Sequence, residues 1–237
     1  MKKVAIIQSN YIPWKGYFDI INDVDLFVFY DDVQYTKNDW RNRNKIKSST
    51  GSQWITIPVN ASNDLLICDV VLSNSNLLAK HFKTLNALYS KAAYYKLYKP
   101  FLEYVYLELK WSNLSELNQY LIKYISREFL GITTEFKDSR EFVSTGKKLD
   151  KLIDILKKTE AKEYISGPAA SDYIDPSRFH VEGIELVYKD YKDYPEYEQF
   201  HPPFDHYVSI LDLLFHAGPE SAYLIWGWRQ EKHAVKG

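Results

Sequence analysis

The chain has 237 residues, 46% of them hydrophobic, with 30 basic against 31 acidic side chains and a formal charge of −1. That is enough apolar material for a sizeable core, and too even a charge balance to gather nucleic acid or anionic membrane by a global field. Cys68 is the single cysteine, which excludes a disulfide framework and a thiolate metal cage; with no stretch long enough to span a bilayer, a cytoplasmic chain without membrane insertion is expected.

In chain order, residues 4–7 read as a buried strand, and the break at Ser9-Asn10-Tyr11-Ile12-Pro13 precedes an amphipathic helix over 14–21. Residues 26–30 form a second apolar strand that releases the chain into a polar loop over 31–44. Strands are predicted over 53–59 and 66–72, separated by a turn at 60–64; Trp54 in the first and Cys68 in the second are expected in the core. Helices follow over 77–88, 94–109 and 114–129, the last capped by Ser112 or Asn113. The α/β rhythm returns with a strand at 133–136, a helix at 147–158, a strand at 163–166, a helix at 176–181 and a strand at 184–188. A surface loop over 191–203 leads to helices at 207–215 and 221–228.

The pattern implies an α/β fold, a Rossmann-like, mainly parallel sheet in a single domain over 1–237 with a helical subdomain at 77–130. The C-terminal helix carrying Trp226 and Trp228 is a candidate face for a homodimer.

Three constellations carry chemistry. The loop 31–44 packs Asp31, Asp32, Gln34, Tyr35, Arg41, Asn42, Arg43 and Asn44 into fourteen residues, with two of the chain's six arginines. Arginine offers a planar fork suited to carboxylate and phosphate, so Arg41 and Arg43 are read as an anion clamp, Asn42 and Asn44 as partners of sugar hydroxyls, and Asp31 or Asp32 as a base or orienting group. The alternative is surface pairing of the arginines with Asp31, Asp32 and Asp39. Gln8, Asn10, Tyr11 and Lys15 stand between a strand end and a helix start, where free backbone N–H groups favour an anion. In His201-Pro202-Pro203-Phe204-Asp205-His206, His201 is the preferred general base, Asp205 orients an imidazole or caps the next helix, and His206 adds a ligand contact. No metal-binding spacing is present. Gly167, in Ser166-Gly167-Pro168, brings bare backbone toward a ligand or makes a tight turn.

Five separated segments carry a family resemblance: Gln8 to Phe18, Asp31 to Tyr35, Asp39 to Asn44, Ile165 to Ala170 and Ser209 to Phe215. Together they resemble the WbqC-like family across nearly the whole chain. The resemblance implies a place among genes for bacterial O-antigens and other surface polysaccharides, and transfer of glycine or another acyl group to the amine of a nucleotide-linked amino sugar. Such a reaction needs a base, a charge clamp and an activated acyl donor. An ATP-derived adenylate, a carrier thioester and an aminoacyl-tRNA all meet the donor's chemistry, and no other cofactor is identified. Pro13 and Gly16 also match nucleotidyltransferase loops, without that signature's histidines, so nucleotidyl transfer or ATP-dependent activation stands as an alternative, as does a non-catalytic sugar-nucleotide-binding protein.

Overall fold

The computed structural model describes residues 1–62, 64–73, 76–172 and 174–229. Its centre is a five-stranded parallel sheet. Strands β1 (Lys3–Ile7) and β2 (Leu26–Phe29) pair across helix α1 (Lys15–Asn22). Taking the later strands as β7 (Glu135–Asp138), β8 (Glu163–Ser166) and β9 (Glu185–Tyr188), the order across the sheet is β7-β2-β1-β8-β9. All four pairings are parallel. The α/β, mainly parallel architecture read from the sequence is therefore the architecture of the chain.

Alternation along the central strands assigns the two faces. Ala5, Phe27 and Phe29 point into one core, while Val4, Ile6, Leu26 and Val28 point into the other, as a period of two requires. The second core is covered by α5 (Leu149–Lys158) through Ile153, Ile155 and Leu156, and by α6 (Ser177–Val181) through Phe179, which stacks on Tyr164. The first is larger. It takes Phe18, Ile20 and Ile21 of α1, then residues of α2 (Asn76–Tyr89), α3 (Tyr95–Glu103), α4 (Leu114–Tyr124) and α7 (Ile210–Ala217). The middle helices thus share one continuous core with the sheet. Wide π turns at Tyr104–Glu108 and Ile125–Phe129 prolong α3 and α4, and Asn113 caps α4 by accepting from the Glu116 N–H at 3.0 Å. No helix among the described residues is long and apolar enough to cross a membrane.

The section between β2 and α2 departs from expectation. Within the supposed loop, β3 (Arg43–Ser48) pairs antiparallel with β4 (Gly51–Thr56). β5 (Val59–Asn60) pairs instead with β6 (Val71–Leu72), and residue 63 of the turn predicted between them lies outside the described residues. The apolar run before β6 is not a strand. A 3₁₀ turn at Ile67–Asp69 donates its Ile67 and Cys68 N–H groups to the carbonyls of Val33 and Asp31. Cys68 sits half-buried there, its thiol pushed up to about 11 by burial and then by Asp69. Trp54 is 45% exposed rather than in the core, because β4 turns that face of the hairpin outward.

Candidate functional site

The connections leave β1 in opposite directions, toward β2 and β7 on one side and β8 and β9 on the other, so the chain diverges at the C-terminal ends of β1 and β8. Two cavities open there, of about 380 and 690 Å³. Trp14 and Tyr207 line both, with ring centroids 5.3 Å apart. Asn10, Trp40, Asn44 and Lys45 complete the first cavity's polar and aromatic lining; Pro168, Lys189, Tyr191, Tyr194 and His206 belong to the second.

Gly16 explains how Trp14 reaches this position. The indole folds back over the first turn of α1, and a Cβ on Gly16 would lie 2.2 Å from Trp14 Cζ2. Only a hydrogen fits beneath the ring. On its other sides the indole meets Tyr191 edge-on at 4.9 Å and Tyr194 at 6.2 Å.

Beside this aromatic wall, Lys15 is buried, with 2% of its surface exposed. Its ammonium nitrogen lies 2.9 Å from His206 Nδ1, and 4.8, 5.6 and 5.7 Å from the ring centroids of Tyr194, Tyr197 and Phe204. Among the described residues it forms no ion pair. Burial lowers its pKa to about 8, against the smaller opposing pull of Asp212, Glu196 and Asp19. The His206 imidazole is also held below its ordinary range, by burial and then by Lys15. At this distance the charge on Lys15 is felt directly by the imidazole, so the protonation of one group bears on the other.

The other sequence-derived candidates separate by position. Asn10 lines the first cavity, and its Oδ1 accepts from Arg41 Nη1. Gln8 Oε1 accepts from Arg41 Nη2 at 3.3 Å, and the Trp40 carbonyl accepts the Tyr11 N–H at 3.0 Å. Arg41 thus braces the loop after β1, with Asp39 3.6 Å away. Burial would raise the Asp39 pKa, but Arg41, the Thr36 hydroxyl and the Trp40 N–H outweigh it and hold it low. The Arg43 guanidinium lies 4.2 Å over Trp54 and donates to the Asn38 carbonyl.

Asn42 and Asn44 are buried fasteners, the first donating to the Ile57 carbonyl at 2.8 Å, the second to Tyr11 and Ile12 carbonyls at 3.0 Å. Tyr11 is core: its hydroxyl bonds His81 Nδ1 and the Tyr106 hydroxyl, each at 2.8 Å. Tyr35 is buried with its N–H on the Leu65 carbonyl, and Gln34 is exposed in a backbone bridge to Leu66. At Gly167 an added Cβ would meet only the Tyr191 hydroxyl, 3.8 Å away, so the packing does not demand a glycine there.

Asp31 is fully enclosed, accepting from the Ser9 N–H at 2.7 Å, from Ser115 and from Gln119 at 3.2 Å. Its carboxylate ties the β1 and β2 exits to α4 and is not presented to either cavity. Asp32 pairs with Lys151 at 2.6 Å and accepts from Ser139 at 2.5 Å. Asp205 accepts from Ser52 at 2.6 Å and from the Tyr207 N–H at 2.8 Å; Ser209, not Asp205, caps α7. His201 is exposed, with φ of 60°, and lines neither cavity. Among the described residues no group of three or more His, Cys, Asp or Glu side chains is placed to hold a metal.

A model of the WbqC-like protein family matches residues 8–223. A curated relative, the uncharacterized protein Rv1507c of Mycobacterium tuberculosis, is 43% identical over 223 residues, covering 93% of this chain and 96% of its own. The chain belongs to the WbqC-like family. No solved structure matches it. Four of the five segments that carry the WbqC-like resemblance meet around the cleft; Asp31 to Tyr35 lies outside it. Asn10 and Trp14 come from the first, Trp40 from the turn after β2 and Asn44 from β3, and Pro168 from the turn after β8. Ser209 bridges Trp14 through the backbone and donates its N–H to the Lys45 carbonyl at 2.8 Å. Sequence reading missed Trp14, Lys45, Tyr191, Tyr194 and Tyr207; the Gly following Trp14-Lys15 was the one local signal for a packed indole.

Proposed function

We propose that this WbqC-like protein is a transferase of surface-polysaccharide synthesis that acylates the amine of a nucleotide-linked amino sugar in the Trp14–Tyr207 cleft. The observation that carries the reading is the Lys15–His206 pair at the edge of an aromatic cavity. Rings bind the apolar faces of sugars and bases, and a proton acceptor beside them is what amine acylation requires. Family membership supports the polysaccharide setting through the resemblance described above.

The proton balance is simple. When the pair carries one positive charge, the Lys15 ammonium donates to Nδ1 of His206, which leaves Nε2 bearing hydrogen. After loss of that proton, Nδ1–H donates to the neutral amine and Nε2 has a free lone pair. In this state His206 accepts the proton released as the sugar nitrogen attacks the acyl carbon. The N–C bond forms, and the bond from the acyl carbon to the donor's leaving oxygen or sulfur breaks. Arg41, Asp31 and Asp32 then serve as positioning residues of the surrounding loops, and His201 has no part in the step.

The experiment is incubation of the protein with a panel of nucleotide-linked amino sugars, glycine, ATP and a cytosolic extract supplying carriers and charged tRNAs, followed by mass spectrometry. A sugar that gains a glycyl or other acyl mass, in a reaction that needs the protein, supports the reading, and omission of single components identifies the donor. Pyrophosphate release with no acyl product would replace it with nucleotide-dependent activation.

A further inference from the structure

Trp40 and Trp54 are the two tryptophans with large exposed surface, 38% and 45%, and their ring centroids lie 5.2 Å apart. Exposed indoles in contact, one in the turn before the hairpin and one on β4, are costly unless something covers them. Trp40 also lines the first cavity together with Trp14 and Tyr207, which form their own ring pair. Among the described residues no ring contact joins the two pairs, and Trp14, Tyr207 and Trp40 all line the cavity, which makes it a slot with rings from both. A planar group with two π faces suits such a slot better than a puckered sugar ring.

The polar lining agrees with that occupant. Lys45 lines the cavity with its amine 5.6 Å from the Trp54 centroid, and Arg43 lies against the same indole. Lys45 and Arg43 share one face of β3 with Trp54 opposite Lys45, because alternate residues of the hairpin point the same way. Asn10 has its Oδ1 held by Arg41, which leaves the amide NH₂ as the group to meet a ring carbonyl. Aromatic faces, cations at the rim and an oriented amide donor recognise a nucleobase with an attached phosphate.

We propose that the slot between Trp14–Tyr207 and Trp40–Trp54 is the nucleotide subsite, with the base stacked on Trp40 and the diphosphate beside Lys45 and Arg43. The inference rests on the nucleotide-linked substrate read above and assigns that substrate an orientation. Because Trp14 and Tyr207 line both cavities, a base in the first leaves the linked sugar free to extend into the second, beside His206.

The test is isothermal titration of the protein with uridine, cytidine, guanosine and thymidine diphosphates. At least one is expected to bind, with affinity about tenfold weaker in Trp40→Ala, within threefold of wild type in Trp40→Phe, and unchanged in His201→Ala. Trp40 contributes its carbonyl, not its ring, to the Tyr11 bond, so the alanine variant keeps that fold contact. Binding that Trp40→Ala leaves intact would place the nucleotide elsewhere and overturn the subsite while the transferase reading stands. Trp40-dependent binding without acyl transfer to any amino sugar would support the subsite and overturn the reaction. No heat with any diphosphate would overturn the subsite together with the nucleotide-linked substrate.

Discussion

Lys15 Nζ stands 2.9 Å from His206 Nδ1, joining positions 191 residues apart in sequence. The contact brings the start of α1 together with the approach to α7, two of the three chemical constellations visible in the chain. It also puts a buried cation within reach of three rings rather than a carboxylate pair.

That burial has a pH signature. Below about pH 8 Lys15 is charged in folded and unfolded chains alike, and the folded state bears the cost of its desolvation. Between about 8 and the ordinary lysine value of 10.5 the unfolded chain binds the extra proton, so this residue's contribution to stability rises with pH. Lys15→Met is therefore expected to stabilise the protein by roughly 2 kcal/mol at pH 7, after allowance for the lost His206 bond. The gain shrinks toward pH 10. Parallel melting curves of wild type and variant check it, and a pH-independent difference would count against the assignment.

Asp31 behaves oppositely, because its enclosed carboxylate accepts from Ser9, Ser115 and Gln119. Asp31→Ala leaves buried donors without an acceptor and is expected to cost roughly 3 kcal/mol in urea unfolding. Asp32→Asn, at a partly exposed pair with Lys151, is expected to cost about 1 kcal/mol. Equal costs would mean that the two aspartates are not divided between interior and surface as described.

His81, within α2, supplies an acid limb. His81 accepts from Tyr11 at Nδ1 and donates from Nε2 to the Thr56 carbonyl, and burial lowers its pKa to about 4. As pH falls from 6.5 toward 4 the unfolded chain takes up a proton that the folded chain refuses, so stability is lost across that window. His81→Gln is expected to flatten this loss, read as the slope of unfolding free energy against pH between 6.5 and 4.5.

The sequence made the sheet legible because Val4, Ala5 and Ile6, and again Leu26 to Phe29, alternate between two apolar cores, leaving no competing period. β3 escaped notice since its pattern Arg-Asn-Lys-Ile-Lys-Ser holds one apolar residue, and Asn44 is buried for its bonds to Tyr11 and Ile12 carbonyls. Leu66 to Leu72 deceived in the reverse sense: its apolar content is real, but Asp31 and Val33 capture its N–H groups and bend it into a turn. At the site, Asn10, Lys15 and His206 stood out by chemical type and local setting. Tyr191, Tyr194 and Tyr207 did not, because their use depends on meeting Trp14 from a distant loop. His201 and His206 look alike in sequence, and only the path of the chain distinguishes them.

The packing of Trp14 makes Gly16 a sensitive position. Gly16→Ala forces a methyl into the indole and is expected to cost about 1–3 kcal/mol, with altered near-ultraviolet dichroism from the displaced ring. Gly167→Ala, whose new methyl would find its nearest neighbour 3.8 Å away, is expected to leave both readouts unchanged. A dichroic change in the second variant and none in the first would contradict the roles given to the two glycines.

The two histidines of the 201–206 segment divide by geometry, so kinetics separates them. His206→Asn removes the proton acceptor beside the cleft and is expected to lower kcat about 100-fold with a smaller change in KM, the usual range for loss of a general base. Lys15→Met is expected to lower kcat and to abolish its rise with pH near 8, since without the amine the imidazole loses the charge that bears on its protonation. His201→Ala, at an exposed residue outside both cavities, is expected to stay within twofold of wild type. Initial rates from pH 6 to 10 with the acyl donor and amino sugar found by mass spectrometry provide the check. A large loss in His201→Ala with full activity in His206→Asn would reassign the base and detach the reaction from the Lys15 pair.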